Sequence, residues 1–277
     1  METNYIPPSQ YRSFCRETFR IPSTQSKLLS LHGHLLGYRV MTSRSLASLI
    51  KSARVFIFDM DGLLLDTERM GLRAWQSVVG HHGLDIDDIF PSLIGKGAAE
   101  ADRILAEHFG PSVSVPQLRV EKNVLFADML AKGVQVKEGA RDLLTHLSSR
   151  GAPTALATST TRAEALLRLA SAKLTHTFDT QVFRDDVARS KPAPDLFLRA
   201  LELLEHPPEE CLVLEDSHAG VEAAIAAKIP VVMVPDLVAP QEWIYGAGAV
   251  VVDSLAHVLR CLKNTADTAG KDRASSG

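Results

Sequence analysis

The stretch Val55-Phe56-Ile57-Phe58-Asp59-Met60-Asp61-Gly62-Leu63-Leu64-Leu65-Asp66-Thr67-Glu68 decides how the 277-residue chain is read. Four apolar residues run straight into Asp59 and Asp61, the pattern of a strand buried on both faces whose C-terminal edge carries two carboxylates. In open parallel sheets, ligands bind outside that edge. Two like charges placed there are costly without a cation or a chemical use. Helix capping accounts for Asp66 or Thr67 but leaves the Asp59/Asp61 pair unexplained.

Outward from this strand, short apolar runs recur at Thr154 to Ala157, Thr180 to Phe183, Cys211 to Leu214 and Val231 to Val234, with Ala249 to Val252 as a sixth. Amphipathic segments lie between them: Gly139 to Arg150, Arg162 to Ala172 and Asp195 to Glu205. This alternation predicts an α/β fold with a Rossmann-like parallel sheet and helices on both faces. One interval departs from it. From Arg69 to Lys137 only helical patterns occur (Leu72 to His82, Ala98 to Phe109, Gln117 to Ala131), too many residues for one crossover. The expected organisation is therefore an extension at 1–53, a core at 54–68 and 138–263, an inserted helical cap domain at 69–137, and a flexible tail at 264–277.

Three further segments carry chemistry. Ala157-Thr158-Ser159-Thr160-Thr161 places hydroxyls where a strand opens into a helix, whose free N–H groups favour an anion; Thr161 with Glu164 also fits a capping box. Ser190-Lys191-Pro192-Ala193-Pro194-Asp195 fixes a lysine before two prolines that restrict its backbone. Leu214-Glu215-Asp216-Ser217-His218 ends an apolar run in two adjacent acids, badly placed for mere solvation, while His218 reads as a helix N-terminal residue.

Taken together, DxDGxxxDTE at Asp59 to Glu68, Thr158, KPxPD at Lys191 to Asp195 and the Glu215-Asp216 pair resemble the motifs of the haloacid-dehalogenase-like hydrolase superfamily. The branch is that of capped phosphatases and phosphomutases, which includes pseudouridine-5′-phosphatases and sugar phosphatases. The resemblance implies that Asp59 is a nucleophile forming an aspartyl-phosphate, that Asp61 is the general acid/base, and that Thr158, Ser159 and Lys191 bind phosphate. It also implies a Mg²⁺ ion on Asp59, the Asp61 carbonyl, Asp216 and Glu215. Hard oxygen ligands suit Mg²⁺, and four carboxylates beside a dianionic substrate call for a divalent cation. Members usually have glycine before the lysine, where this chain has Ser190.

The expected activity is Mg²⁺-dependent hydrolysis of a small phosphorylated metabolite: a sugar phosphate, nucleoside monophosphate or polyol phosphate. Lys96 in Gly95-Lys96-Gly97, with Arg69, Arg73 and Gln76, are the expected cap contacts to substrate. A hexose-phosphate mutase of the β-phosphoglucomutase type is the alternative. Mutase-like members carry a cap histidine and arginine where this chain has Gly71 and Ala98. A non-catalytic phosphate-binding protein would be expected to have lost Asp59, Asp61 or Lys191, all present here.

Composition bounds the rest. With 45% hydrophobic and 23% charged residues and a net charge of −3, the chain is that of a globular protein. No apolar run suits a membrane span, and Cys15, Cys211 and Cys261 lack metal or disulfide spacing. Residues 1 to 54 hold eight Lys/Arg against Glu2 and Glu17, leaving an acidic body that argues against a nucleic-acid surface. The expected state is a monomer or weak dimer in the cytoplasm. An organellar location, plastid or mitochondrion, is the alternative if the Arg/Ser-rich start is a transit peptide, and Met41 marks a shorter start.

Overall fold

The computed structural model describes residues 45–274, with side chains through residue 265. The leader or extension expected before residue 45 lies outside the described residues. Six parallel strands form one sheet: β1 (Val55–Phe58), β2 (Thr154–Ala157), β3 (Thr180–Val182), β4 (Cys211–Glu215), β5 (Val231–Met233) and β6 (Val250–Val251), in the order β3-β2-β1-β4-β5-β6. β1 is central, with Ile57 registered against Ala155 of β2 and Val213 of β4.

Its four residues are all buried because the two faces of a strand alternate. Phe56 and Phe58 join one hydrophobic cluster with Leu143 and Leu147 of α5 (Ala140–Ser149) and Leu169 of α6 (Arg162–Ser171). Val55 and Ile57 join the opposite cluster with Leu196 and Phe197 of α7 (Asp195–Leu204) and Val221 of α8 (His218–Ala226). Helices therefore cover both faces. The chain winds from β1 toward β3, then returns to β4 and winds the other way. The gap between β1 and β4 is thus a topological switch point, where α/β sheets open a crevice at the strand ends.

The insertion between β1 and β2 comprises α2 (Thr67–His81), a 3₁₀ turn (Phe90–Ser92), α3 (Ala98–Phe109) and α4 (Val115–Ala131). Trp75, Val79, Phe90, Leu105 and Leu118 pack into a hydrophobic cluster of their own. Its two ends meet: Asp66 N donates to Gln135 O and Lys137 N donates to Leu64 O, each at 2.8 Å. α2 begins at Thr67 rather than Leu72, so the start expected for the insertion at residue 69 falls inside a helix.

Both outer boundaries also move. Leu46–Ser52 forms a helix, α1, whose buried Leu49 and Ile50 pack into the cluster under Phe56 and Phe58. Residues 45–53 thus belong to the core, not to the extension. Ser45 caps α1, its Oγ accepting from Ser48 N at 3.2 Å, a short polar signal the Ser/Arg-rich context concealed. At the other end, helix α10 (Leu255–Ala274) continues through the residues expected as a tail. Its first turns are held by buried Leu255, Val258, Leu259 and Leu262, apolar spacing that sets the helix before residue 264. The short α9 (Glu242–Gly246) precedes β6. Among the described residues no helix is long and apolar enough to cross a membrane.

Candidate active site

Asp59 leaves β1, and Glu215 and Asp216 leave the neighbouring β4, so the topology brings three carboxylates to one crevice. One ligand oxygen from each lies within 4.8 Å of the others, and all three residues are buried. Lys191 threads into the same place. Its Nζ donates to Asp59 Oδ1 at 2.5 Å, Glu215 Oε1 at 2.6 Å and the Ala157 carbonyl at 2.9 Å, using its three protons. The second Glu215 oxygen accepts from Asp216 N and Ser217 N at 2.9 Å and from Ser217 Oγ at 3.0 Å. Both Glu215 oxygens are engaged, Oε1 by a single donor, whereas Asp216 Oδ2 is buried with no partner.

Two glycines admit this crowding. A Cβ on Gly62, whose φ is +83°, would stand 2.0 Å from Asp216 Oδ2. A Cβ on Gly220 would stand 1.8 Å from Glu215 Oε1. The carboxylates thus lie against bare backbone.

Electrostatics follow from one ammonium among three buried acids. Burial, partly offset by Lys191 and reinforced by Glu215 and Asp61, pushes the Asp59 carboxyl up to about 8. Burial, then Glu215 and Asp59, raise Asp216 well above the carboxylate range. Burial would depress Lys191, but Asp59 and Glu215 outweigh it and hold the ammonium above its ordinary value. A donor set of hard oxygens, one of them unpartnered, with surplus negative charge fits a divalent cation.

Asp61 behaves differently. Oδ1 accepts from Thr67 Oγ1 at 2.5 Å and Arg168 Nη1 at 2.7 Å, and Oδ2 accepts from Thr160 Oγ1 at 2.7 Å. Burial acts to raise its pKa, but Arg168, aided by the two hydroxyls, outweighs burial and holds the carboxyl below its usual range. Thr158, 1% exposed, accepts from Thr160 N at 3.1 Å, and the buried Ser159 Oγ has no partner. Thr161 donates to Glu164 Oε2 at 2.8 Å, so the expected capping box reduces to a side-chain pair. His218 opens α8, its Nε2 2.8 Å from the Ala239 carbonyl, as expected of a helix N-terminal residue.

A cavity of about 490 Å³ joins these residues to the insertion. Asp59, Asp61, Thr158, Ser159, Lys191 and Asp216 line its core side, and Lys96 lines the insertion side. The Lys96 loop rests on the core: a Cβ on Gly95 would meet Ser217 Oγ at 2.9 Å.

The other three expected contacts do not line the cavity. Arg69 pairs with Asp66 at 2.8 Å and with Asp236, beside Lys137, where the insertion joins the core. Gln76 donates to Asp87 at 2.7 Å on the exposed side of α2, and Arg73 is exposed. A helix spaced from Glu68 shows one face to the cavity, and Gly71 and Trp75, not Arg69, Arg73 and Gln76, continue that face.

Sequence reasoning did not single out Arg168, Thr160, Lys122, Arg119 and Phe126, all of which line the cavity. One signal was available: on α6, Thr161, Glu164, Leu167 and Arg168 share the i, i+3, i+6/i+7 spacing of a single face. Glu68, half-buried at the cavity wall, is pushed up to about 7 by burial and then by Asp61. Lys122 is lowered to about 8 by burial and then by Arg168 and Arg119.

The family model of the haloacid dehalogenase-like hydrolases matches residues 56–234. A phosphorylated carbohydrates phosphatase of Thermotoga maritima is 37% identical over 178 residues, covering 62% of this chain and 81% of that protein. The fructose-1-phosphate phosphatase YqaB of Escherichia coli is 33% identical over 183 residues, covering 62% and 90% respectively. Among solved structures, a hydrolase of the same family from Deinococcus radiodurans, with bound phosphate and sodium, superposes with a TM-score of 0.65. Its sequence is 28% identical, and the match covers 78% of this chain and 97% of that one.

Proposed function

The chain belongs to the haloacid dehalogenase-like hydrolases, and on that footing we propose that it is a phosphomonoesterase of small phosphorylated metabolites, working with Mg²⁺ through phosphorylation of Asp59. The observation that carries this reading is the buried constellation of Asp59, Glu215, Asp216 and Lys191, with Asp216 Oδ2 left unpartnered. Asp59 and Asp216, with the Asp61 carbonyl, would hold the ion. Glu215 fixes Lys191 and the Asp216 turn, and its Oε1, which accepts a single donor, would reach the ion directly or through water. When bound, a divalent cation offsets the charge of the carboxylates and of the phosphoryl oxygens.

An Asp59 carboxylate oxygen forms a bond to phosphorus as the bond to the ester oxygen breaks. The departing oxygen takes its proton from the protonated form of Asp61, the minority form while Arg168 and the two hydroxyls donate to it. The resulting carboxylate then takes a proton from the water that attacks the phosphorylated Asp59, releasing inorganic phosphate. Lys191 aims Asp59 through their 2.5 Å hydrogen bond. Thr158 and the unpartnered Ser159 hydroxyl offer donors to the phosphoryl oxygens. The insertion acts as a cap that excludes bulk water, with Lys96 as the substrate contact supplied by its loop. At Gly71 a Cβ would meet nothing within 4 Å, so the place of the mutase histidine is open space, which favours hydrolysis.

The test is phosphate release from a panel of sugar, polyol and nucleoside monophosphates. The wild-type chain with Mg²⁺ releases phosphate, and Asp59→Asn is silent at an unchanged fold. An active Asp59→Asn variant refutes the nucleophile. Interconversion of hexose 1- and 6-phosphates with little free phosphate would point to a mutase instead.

A further inference from the structure

Arg168 links Asp61 to the insertion. At one edge its Nη1 donates to Asp61 Oδ1 at 2.7 Å and to Thr160 Oγ1 at 3.2 Å, and the Thr160 hydroxyl in turn donates to Asp61 Oδ2. On its face the guanidinium lies over the Phe126 ring of α4, 5.1 Å from the centroid. One turn further along α6, Ser171 Oγ donates to the Leu130 carbonyl at 2.8 Å, a second tie between α6 and α4. A planar guanidinium can stack and donate at once, which an ammonium does less well. The Asp61 carboxylate therefore receives donors from three residues, Thr67, Thr160 and Arg168, the last of them braced by α4 of the insertion. A surface ion pair would have neither the stacking nor the shared threonine, and Arg168 is largely buried, its side chain 16% exposed.

Resting on the phosphomonoesterase reading, we infer that Arg168 is a positioning residue: seated by Phe126 when α4 lies against α6, it sets the orientation of Asp61 for proton transfer to the leaving oxygen. Closure of the insertion and alignment of the acid/base are then one event. A carboxyl held within hydrogen-bond reach of the departing oxygen is what general acid catalysis requires.

The measurement compares two esters. p-Nitrophenolate leaves without a proton, whereas a sugar or glycerol alkoxide needs one, and kcat/KM reports the steps up to that departure. The full chain and its variants are assayed with p-nitrophenyl phosphate and with glycerol 3-phosphate or fructose 1-phosphate, whichever the wild type turns over faster. Removing the guanidinium also relieves the pull that keeps Asp61 ionised, which alone would favour proton donation to the alkoxide, so a selective loss on the alkyl ester reports orientation. Arg168→Met is expected to lose about tenfold more kcat/KM on the alkyl ester than on the aryl ester, with Arg168→Lys intermediate and Phe126→Leu shifted the same way. In an Asp61→Asn background, Arg168→Met should add less than about twofold, because the group it positions is gone. Equal losses on the two esters, or an Arg168→Met effect undiminished by Asp61→Asn, would overturn the inference and leave Arg168 a structural ion pair. Thermal unfolding screens each variant, and if Arg168→Met does not fold, Arg168→Lys and Phe126→Leu decide by the same ratio. Absence of phosphate release from either ester by the wild type overturns the phosphomonoesterase reading itself. Release without ester selectivity in the variants overturns only the role of Arg168.

Discussion

Alanine at Gly220 should stabilise α8 by helix propensity alone, by about 1 kcal/mol. The structure predicts the opposite. The new Cβ would lie 1.8 Å from Glu215 Oε1 and 1.9 Å from its Cδ, where ordinary contact begins near 3.4 Å. The carboxylate must retreat by more than an ångström, and it has no slack: fully buried, it holds Lys191 through one oxygen and three donors through the other. Breaking a buried pair of this kind costs about 3–5 kcal/mol. After the gain in propensity, a net loss of about 2–4 kcal/mol remains, or a fall in Tm of about 4–16 °C for a domain of this size. Because Lys191 also aims Asp59, kcat/KM should fall by about 100-fold or more, as expected for ångström-scale misplacement. Differential scanning calorimetry and phosphate release measure both. A variant as stable as wild type, with kcat/KM within about threefold of it, would refute the claim that Glu215 is held immovably against Gly220.

Other perturbations test other parts. Chelation should abolish phosphate release and Mg²⁺ restore it; saturating Mg²⁺ should also stabilise the resting protein, by about 2.7 kcal/mol at a hundred times Kd, and an unmoved Tm would contradict a cation between Asp59 and Asp216. Glu68→Gln tests the carboxyl raised from 4.5 to about 7. Below 4.5 the group is protonated folded or unfolded and costs nothing. Between 4.5 and 7 the unfolded chain ionises while the folded state keeps its proton, so the cost accrues there and is complete above 7; Gln should therefore stabilise the protein at pH 8 and not at pH 4.5. The ceiling is about 3.4 kcal/mol, reduced to about 1–2 by partial exposure, and equal Tm gains at both pH values would contradict it. Lys96→Ala should raise KM more than it lowers kcat, as befits a contact off the reacting centre, and a kcat-only loss would argue against that placement. A chain started at Met41 should unfold at the full-length Tm, whereas one started at Arg54 loses buried Leu49 and Ile50, about 3–6 kcal/mol; indistinguishable Tm values would show α1 to be dispensable.

What could be read in the sequence was local. Asp59, Glu215 and Asp216 stand directly after apolar runs, so strand ends bring them to one edge, and Lys191 joins them from the proline-restricted loop before α7. The contacts that escaped reading join residues far apart in the chain. Arg168 meets Asp61 across 107 positions and Arg69 meets Asp236 across 167, and no periodicity encodes either pairing. Arg69 looked like a substrate contact because it follows the DTE motif, yet the helix turn after Thr67 carries it to the junction with Lys137. α1 was missed for a related reason: seven residues with two buried side chains are too short to show a helical period, and their stability comes from the face of α10 and the sheet cluster.

The central place of β1 bears on how the protein is made. Val55–Phe58 is synthesised first of the six strands, yet its two partners are β2 and β4, the second completed only at Glu215. At roughly 5–20 residues per second, the roughly 150 residues between them take about 8–30 s to emerge. Throughout that interval a wholly apolar strand has at least one unpaired edge, and the nucleophile lacks its neighbouring acids, its lysine being added only at residue 191. The nascent chain is therefore sticky and chemically inert until late in translation, and a chaperone that shields the start of the core has a defined interval in which to act.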